Sequence, residues 1–369
     1  MSLNKRCKTE KLDDLEGPQG STSQGLMEEK LGVSLNKDTC THPGSFGQMC
    51  ILCGQRVDDE SGDLRLGNDE IVRLRGTDMK NLLRHKKLYL VLDLDHTLLN
   101  STQINHLTAE EEYLKSQSDS LQDVSKGSLF MLEFMHMMTK LRPFVRTFLK
   151  EAKYFNGRVI SRDDGTQKHQ KGLDVVLGQE SAAVILDDTE NAWPNQKDNL
   201  ILMERYHFFA SSCRQFGFDC KSLSQLKSDE SEPDGALASI LKILRRIHHF
   251  FFYELDSDLA RRDVRQALKT VRAEALKDCK IVFSRVFPMK FQPENHHLWI
   301  MAEQLGGTCS TETDSSVTHV VSMDAGTQKS RWAVKENEFL VHPRWIEATN
   351  FFWQKQPEEN FPVSQTKNQ

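Results

Sequence analysis

The sequence predicts an α/β chain of two domains, and three observations carry that reading. At 369 residues the chain has room for two ordinary domains and some connecting sequence. From Lys86 to about Cys220, short apolar runs alternate with helix-like segments, as in a sheet covered by helices. After a Ser/Asp/Pro break at 228–235, "SDESEPDG", helical spacing and then strand–helix alternation run on to Val363.

Composition narrows the class. Apolar residues are 38% of the chain, charged residues 27%, and mean hydropathy is -0.54, which fits packed cores diluted by polar sequence. The net charge of -5 gives no general reason to expect direct nucleic-acid binding. The basic runs "NKRCK" and "LRHKK" are short and read as solvated. No apolar run approaches the ~20 residues of a membrane helix, so no membrane partner is expected. The opening "MSLNKRCKTEKLDDLEG" lacks the apolar stretch of a secretory signal. Eight unevenly spread cysteines then read as free or metal-bound thiols in a reducing compartment.

Residues 1–75 read as a mostly disordered N-terminal region, polar and rich in Ser, Gln, Gly and Lys up to about residue 38. Within it Cys40, His42, Cys50 and Cys53 form C-x-H-x7-C-x2-C. Four N/S ligands this close can wrap a structural Zn²⁺, and they can equally be reduced thiols in a flexible arm. Both readings stand.

Next comes "KKLYLVLDLDHTLLN", residues 86–100. An apolar strand, Leu88 to Leu92, runs into Asp93, and Asp95 follows two residues later. In open α/β sheets ligands bind outside the carboxyl ends of strands. Two carboxylates at that place suit a nucleophile and a general acid/base. A hard cation such as Mg²⁺ would take a carboxylate and a backbone carbonyl there. A lone D-x-D is more often a turn with an N-cap. Here the apolar strand before it, with Thr97 and paired leucines after it, argues for a site. "AAVILDDTENAWP" repeats the pattern, with a strand at Ala183–Leu186 ending on Asp187 and Asp188. Two strands delivering carboxylates to one rim make a metal site. "HQKGLDVVLG" offers Lys171 to neutralise a transferred phosphoryl group, although alone it would read as a surface lysine.

Beyond the break, "ALASILKILRRIHHFFF" places Leu237, Ile240, Leu241 and Leu244 at helical spacing, and a helical linker continues over 251–275. From 276 to 363 the order is strand ("KIVFSRVFP"), helix ending in glycines ("ENHHLWIMAEQLGG"), strand ("VTHVVSM"), helix ("TQKSRWAVKEN"), strand ("FLVH") and helix with Pro at its start ("PRWIEATNFFW").

The motifs "LVLDLDHTLL", "TKLRPFVRTFLKEA", "RVISRDDGT", "KGLDVVLG" and "VILDDTENAWPNQKDNLILMERYHFF" together resemble the haloacid-dehalogenase superfamily. Within it they resemble the TFIIF-associating type of RNA polymerase II C-terminal-domain phosphatase, its plant-type members most of all. The resemblance implies a haloacid-dehalogenase-like parallel sheet in a phosphatase domain at 80–250. It also implies roles. Asp93 attacks a phosphoserine, Asp95 protonates the leaving serine and then activates water, and Thr97 belongs to the catalytic set. Mg²⁺ is held by Asp93, the Asp95 carbonyl, Asp187 and Asp188, and Lys171 steadies the phosphoryl oxygens. The implied function is a nuclear protein serine/threonine phosphatase acting on the phosphorylated C-terminal repeat of RNA polymerase II and regulating transcription. A small-molecule phosphatase is disfavoured by "TKLRPF" and by the second domain.

That domain, through its helix–Gly306–Gly307 junction and Trp345, resembles a BRCT domain, which implies a phosphoprotein or transcription-factor partner. Ser284 and Lys329 are candidates to hold a phosphate. The blander reading, favoured for a single BRCT domain, leaves both as plain surface residues. Trp345 reads as core.

One departure stands out. In the family a further buried strand with a Ser/Thr motif, then a helix and loop, precede the "RVISRDD" strand. Here only Lys153 to Asn156 fill that place, so the sheet is expected to lack one inner strand between Ala152 and Arg158. The alternative function is therefore an impaired short form that docks through its BRCT domain, whose own core should spare it from the loss.

Overall fold

The computed structural model describes residues 44–46, 49–50, 64–66, 68–118, 126–152, 155–156, 171–173, 179–255, 258, 261–288 and 290–364. Strands β1 (Gly44–Phe46), β2 (Met49–Cys50) and β3 (Leu64–Leu66) form an antiparallel sheet in the order β2-β1-β3. Helix α1 (Asn68–Arg84) follows. Most of the stretch to residue 75 expected to be disordered lies outside the described residues, and its last residues begin this helix. Ile71, Leu74, Met79, Leu82 and Leu83 recur at helical spacing, and the last two are buried in the main core, which anchors the helix. Cys50 falls on β2, while Cys40, His42 and Cys53 lie outside the described residues.

The first strand of the first parallel sheet is β4 (Leu88–Leu92). After it β5 (Leu99–Gln103), β6 (Leu129–Leu132) and β7 (Met137–Leu141) form an antiparallel sheet in the order β5-β7-β6. Helix α2 (Val145–Glu151), β8 (Phe155–Asn156), β9 (Ala183–Asp187), β10 (Leu200–Leu202) and α3 (Ala210–Gln215) complete this half. The sheet of β4 has the order β10-β9-β4-β8, parallel throughout. Strand β9 is buried over its whole length, as an apolar run between two neighbours should be.

No strand was expected between Ala152 and Arg158, and β8 corrects that. Phe155 pairs with Leu88 and Asn156 with Tyr89. The edge of β4 away from β9 carries backbone groups that need partners, and two residues just past α2 reach them. The replacement is partial. Leu88 and Tyr89 are buried, whereas Leu90, Val91 and Leu92 are only half-buried. The "RVISRDD" segment lies outside the described residues.

Helix α4 (Ala236–His249) runs into one turn of π-helix at Phe250–Glu254, and α5 (Val264–Arg272) follows. Then come β11 (Lys280–Ser284), α6 (His297–Gln304), β12 (Thr308–Ser310), β13 (His319–Ser322), α7 (Gln328–Glu336), β14 (Phe339–Val341) and α8 (Arg344–Phe352). The second sheet is parallel in the order β12-β11-β13-β14. Gly306 ends α6 at φ 91°, and a Cβ there would stand 1.9 Å from the Ala273 carbonyl oxygen, so the junction needs glycine. Among the described residues no helix is long and apolar enough to cross a membrane.

The second domain does not have a core wholly its own. Val282, Val317, Val320 and Ala333 form a small separate cluster on one face. On the other face one continuous core joins both halves. It runs from Leu88, Val184 and Ile201 through Leu237, Ile240 and Leu244 of α4 and Leu268 of α5 to Ile281, Trp345 and Ile346. Helix α4 packs against α2, α5 and α8, and α8 touches β10. The amphipathic pattern of α4 is the cause, because its apolar stripe is too wide for one neighbour to cover. We therefore expect both halves to unfold together. Leu244→Ala should cost about 2–5 kcal/mol by leaving a cavity in that core. Calorimetry should show a single transition shifted down as a whole. A catalytic-half peak that moves while a second-domain peak stays put would refute the shared core.

Candidate active site

Strand register builds the site. Leu92 pairs with Leu186 in parallel, and the Asp93 N–H donates to the Leu186 carbonyl at 2.9 Å. The residues that follow, Asp93 and Asp187, therefore emerge side by side at the carboxyl rim. Carboxylate oxygens of Asp93, Asp187 and Asp188 lie within 4.8 Å of one another. The chain then turns sharply. Asp95 is exposed, His96 takes φ 67°, and His96 N–H donates to the Leu99 carbonyl at 2.7 Å. Thr97 is fully buried, its Oγ1 3.5 Å from Asp188 Oδ1.

Lys171 reaches this cluster from a separate segment. Its ammonium donates to Asp93 Oδ1 and to Asp187 Oδ2, each at 2.6 Å. Its backbone N–H donates to the Ala192 carbonyl at 2.9 Å, which fixes where the side chain starts. Asp187 is almost inaccessible and heavily bonded. Trp193 Nε1 donates to its Oδ2 at 2.9 Å, and the Thr189 N–H donates to its Oδ1 at 2.8 Å.

The electrostatics show what is lacking. Burial, then repulsion from Asp187, raises the Asp93 carboxyl to about 6, although Lys171 pulls the other way. Burial disfavours the Lys171 ammonium, but the facing carboxylates outweigh it and raise its pKa. Three converging carboxylates thus carry more negative charge than Lys171 and Arg205, which pairs with Asp188, together offset. All their donors are hard oxygens, which suits a cation such as Mg²⁺. Such an ion would bring the positive charge that keeps Asp93 ionised.

The sequence-proposed residues Asp93, Thr97, Lys171, Asp187 and Asp188 converge, and Asp95 sits on the rim turn beside them. Other participants were not picked out by sequence. Trp193 and Arg205 lie in the 184–209 motif and Arg142 in the 139–152 motif, and the sequence reading gives none of them a role. Arg205 forms an ion pair with Asp188. Arg142, buried, donates to the carbonyls of Thr97 and Glu204 at 3.0 Å each and pairs with Glu230. Its fork ties the turn after Asp95 to the 228–235 segment. A lone arginine or glutamate carries no spacing signal that would have marked these pairs.

Comparison with known proteins agrees with this geometry. The profile of NLI interacting factor-like phosphatases matches residues 88–161 and 150–216, and that of the twin BRCT domain matches 289–345. RNA polymerase II C-terminal domain phosphatase-like 4 of Arabidopsis thaliana is 58% identical over 388 aligned positions, spanning 94% of this chain and 88% of that protein. The chain belongs to the RNA polymerase II C-terminal-domain phosphatase-like family. A second family member from the same plant, phosphatase-like 3, is 38% identical over 79% of this chain and 26% of its own length. The structure of Fcp1, an RNA polymerase II CTD phosphatase, shares the fold with a TM-score of 0.57 and 20% identity, covering 79% of this chain and all of that one.

The alignment of 388 positions is longer than the 369-residue chain, so the relative carries residues that this family member lacks. The phosphatase profile matches in two pieces that overlap over 150–161, a range that contains the end of α2 and β8.

Removing both neighbouring acids should abolish cation binding. Asp187→Ala with Asp188→Ala leaves one carboxylate facing Lys171, too few ligands for a hard cation. Calorimetric Mg²⁺ binding by the double variant at the unmodified affinity would refute the site.

Proposed function

We propose that this chain is a Mg²⁺-dependent protein serine/threonine phosphatase of the nucleus, acting on the phosphorylated C-terminal repeat of RNA polymerase II. The observation that carries it is the side-by-side placement of Asp93 and Asp187 with Lys171 bonded to both. Asp93, the Asp95 backbone carbonyl, Asp187 and Asp188 would hold Mg²⁺, which supplies positive charge against a bound phosphate.

The residues divide the work. The Asp93 carboxylate attacks phosphorus, and the bond from phosphorus to the serine oxygen breaks. Asp95, exposed on the rim turn, gives its proton to that oxygen. It then takes a proton from water, whose oxygen attacks the aspartyl phosphate and frees Asp93 and inorganic phosphate. The Lys171 ammonium moves its attraction from the carboxylates to the phosphoryl oxygens as charge builds on them. The second domain would add a phosphoprotein or transcription-factor partner. There Lys329 Nζ donates to the Thr311 carbonyl at 2.5 Å and Ser284 Oγ lies 2.7 Å from Thr327 Oγ1, so both groups already have partners within the chain.

The direct test is turnover of a phosphoserine repeat peptide with and without Mg²⁺. Asp93→Asn should abolish it, because an amide forms no acyl phosphate. Asp95→Asn should slow it by ~10²–10⁴-fold. Undiminished turnover in either variant would overturn the assignment.

A second reading, an impaired form that docks rather than turns over, is favoured by the half-buried Leu90–Leu92 and by the residues present in the relative but not here. Restoring the family's segment after Ala152 should complete the pairing of β4 and bring a hydroxyl to the phosphate. A missing donor of that kind costs ~10²–10³-fold in rate. The restored form should turn over faster by that factor and melt higher. Equal rates and equal melting temperatures would dismiss the second reading.

A further inference from the structure

Asp188 differs from the other two acids in how its oxygens are used. Its Oδ2 accepts from Arg205 Nε and from Thr189 Oγ1, the latter at 3.2 Å. Arg205 Nη2 also donates to Thr189 Oγ1 at 3.0 Å, so guanidinium, hydroxyl and carboxylate close a small ring. Asp188 Oδ1 has only Thr97 Oγ1, at 3.5 Å, among the described residues. One oxygen is therefore saturated and the other is left as a donor.

Arg205 is itself held from behind. Its guanidinium lies over the Phe216 ring, 4.1 Å from the centroid. Phe216 stands edge-on to His96 at 5.1 Å and to His207 at 5.5 Å, and His96 is the residue between Asp95 and Thr97. The same aromatic thus supports the arginine and the turn after the nucleophile. Lys171 is placed differently, bridging Asp93 and Asp187 inside the acidic cluster. The geometry separates a lysine inside the cluster from an arginine behind one member of it.

We propose that Arg205, braced by Phe216, is a positioning residue. By taking Asp188 Oδ2 it keeps Oδ1 as a cation donor. This rests on the reading of Asp93, Asp187 and Asp188 as a Mg²⁺ site. A carboxylate held by a partner of this kind keeps its orientation without reorganising when the cation arrives, and losing such a partner typically weakens metal affinity ~10–100-fold. Arginine suits the role because its planar fork presents separate N–H groups in fixed geometry to carboxylate and hydroxyl together, whereas a lysine ammonium is a single rotating point charge.

The test is Mg²⁺ titration calorimetry on the full chain, read for both affinity and stoichiometry. Arg205→Met, close in shape but uncharged, should bind ~10–100-fold more weakly with unchanged stoichiometry. Arg205→Lys should fall between. Phe216→Leu, which leaves both charged partners in place, should weaken binding by a smaller factor. A merely structural role would lower the stoichiometry or the melting temperature and leave the affinity of the folded fraction intact, which overturns the proposal. Tighter binding by Arg205→Met would also overturn it, because it would make Arg205 a competitor of the cation. Absence of Mg²⁺ binding by the unmodified chain would remove the metal reading and this assignment with it. Normal binding by the unmodified chain and by Arg205→Met alike would remove this assignment alone.

Discussion

The parallel register of β4 against β9 is the constraint on which the site depends. Leu92 faces Leu186, and the ladder extends one step further through the Asp93 N–H. Side chains alternate along a strand, so a slip of one residue would send Asp93 and Asp187 to opposite faces. The full burial of β9 opposes such a slip, since any shift would carry a carboxylate into the core. Apolar packing thus holds two charges at the rim within reach of one lysine.

Those charges need compensation, and the fold brings it from scattered places. Lys171 comes from the segment before β9, Trp193 and Thr189 from the turn after it, and Arg205 from beyond β10. Each donor addresses a particular oxygen. Burial, ahead of repulsion from Asp187, raises the Asp93 pKa even with Lys171 beside it. Burial is responsible, because partners that would suffice in water leave a buried carboxylate under strain.

The connection between the halves is more than a tether. Asp229 accepts from the Tyr206 hydroxyl at 2.8 Å and pairs with Lys140, while Glu230 pairs with the buried Arg142. Two adjacent acids thereby pin the start of the connector beside the carbonyl of Thr97. Helix α4 follows and carries the core across to α8. Ion pairing thus holds the start of the connector beside the turn, and the packing of α4 joins the connector to the second domain. The short β8 sits on the opposite edge of the sheet, where Leu90 to Leu92 are covered least.

The sequence by itself determined the elements and the chemistry of the rim. Apolar runs ending on acids located β4 and β9 with Asp93, Asp187 and Asp188, and helical spacing located α4 with Leu237, Ile240, Leu241 and Leu244, all of them buried. These are local signals, written by a period of two or of 3.6 residues and by the residue type at a strand's end. Lys171 was legible only beside those motifs. The tertiary structure alone decided the rest. It paired Phe155 and Asn156 with β4 where no strand was expected, because an open edge takes whatever backbone reaches it. It merged the two cores, because the stripe on α4 is too broad for one neighbour. It joined Arg205 to Asp188 and Glu230 to Arg142, partners 17 and 88 residues apart. Contacts of that kind follow from register and packing direction, which no single segment encodes.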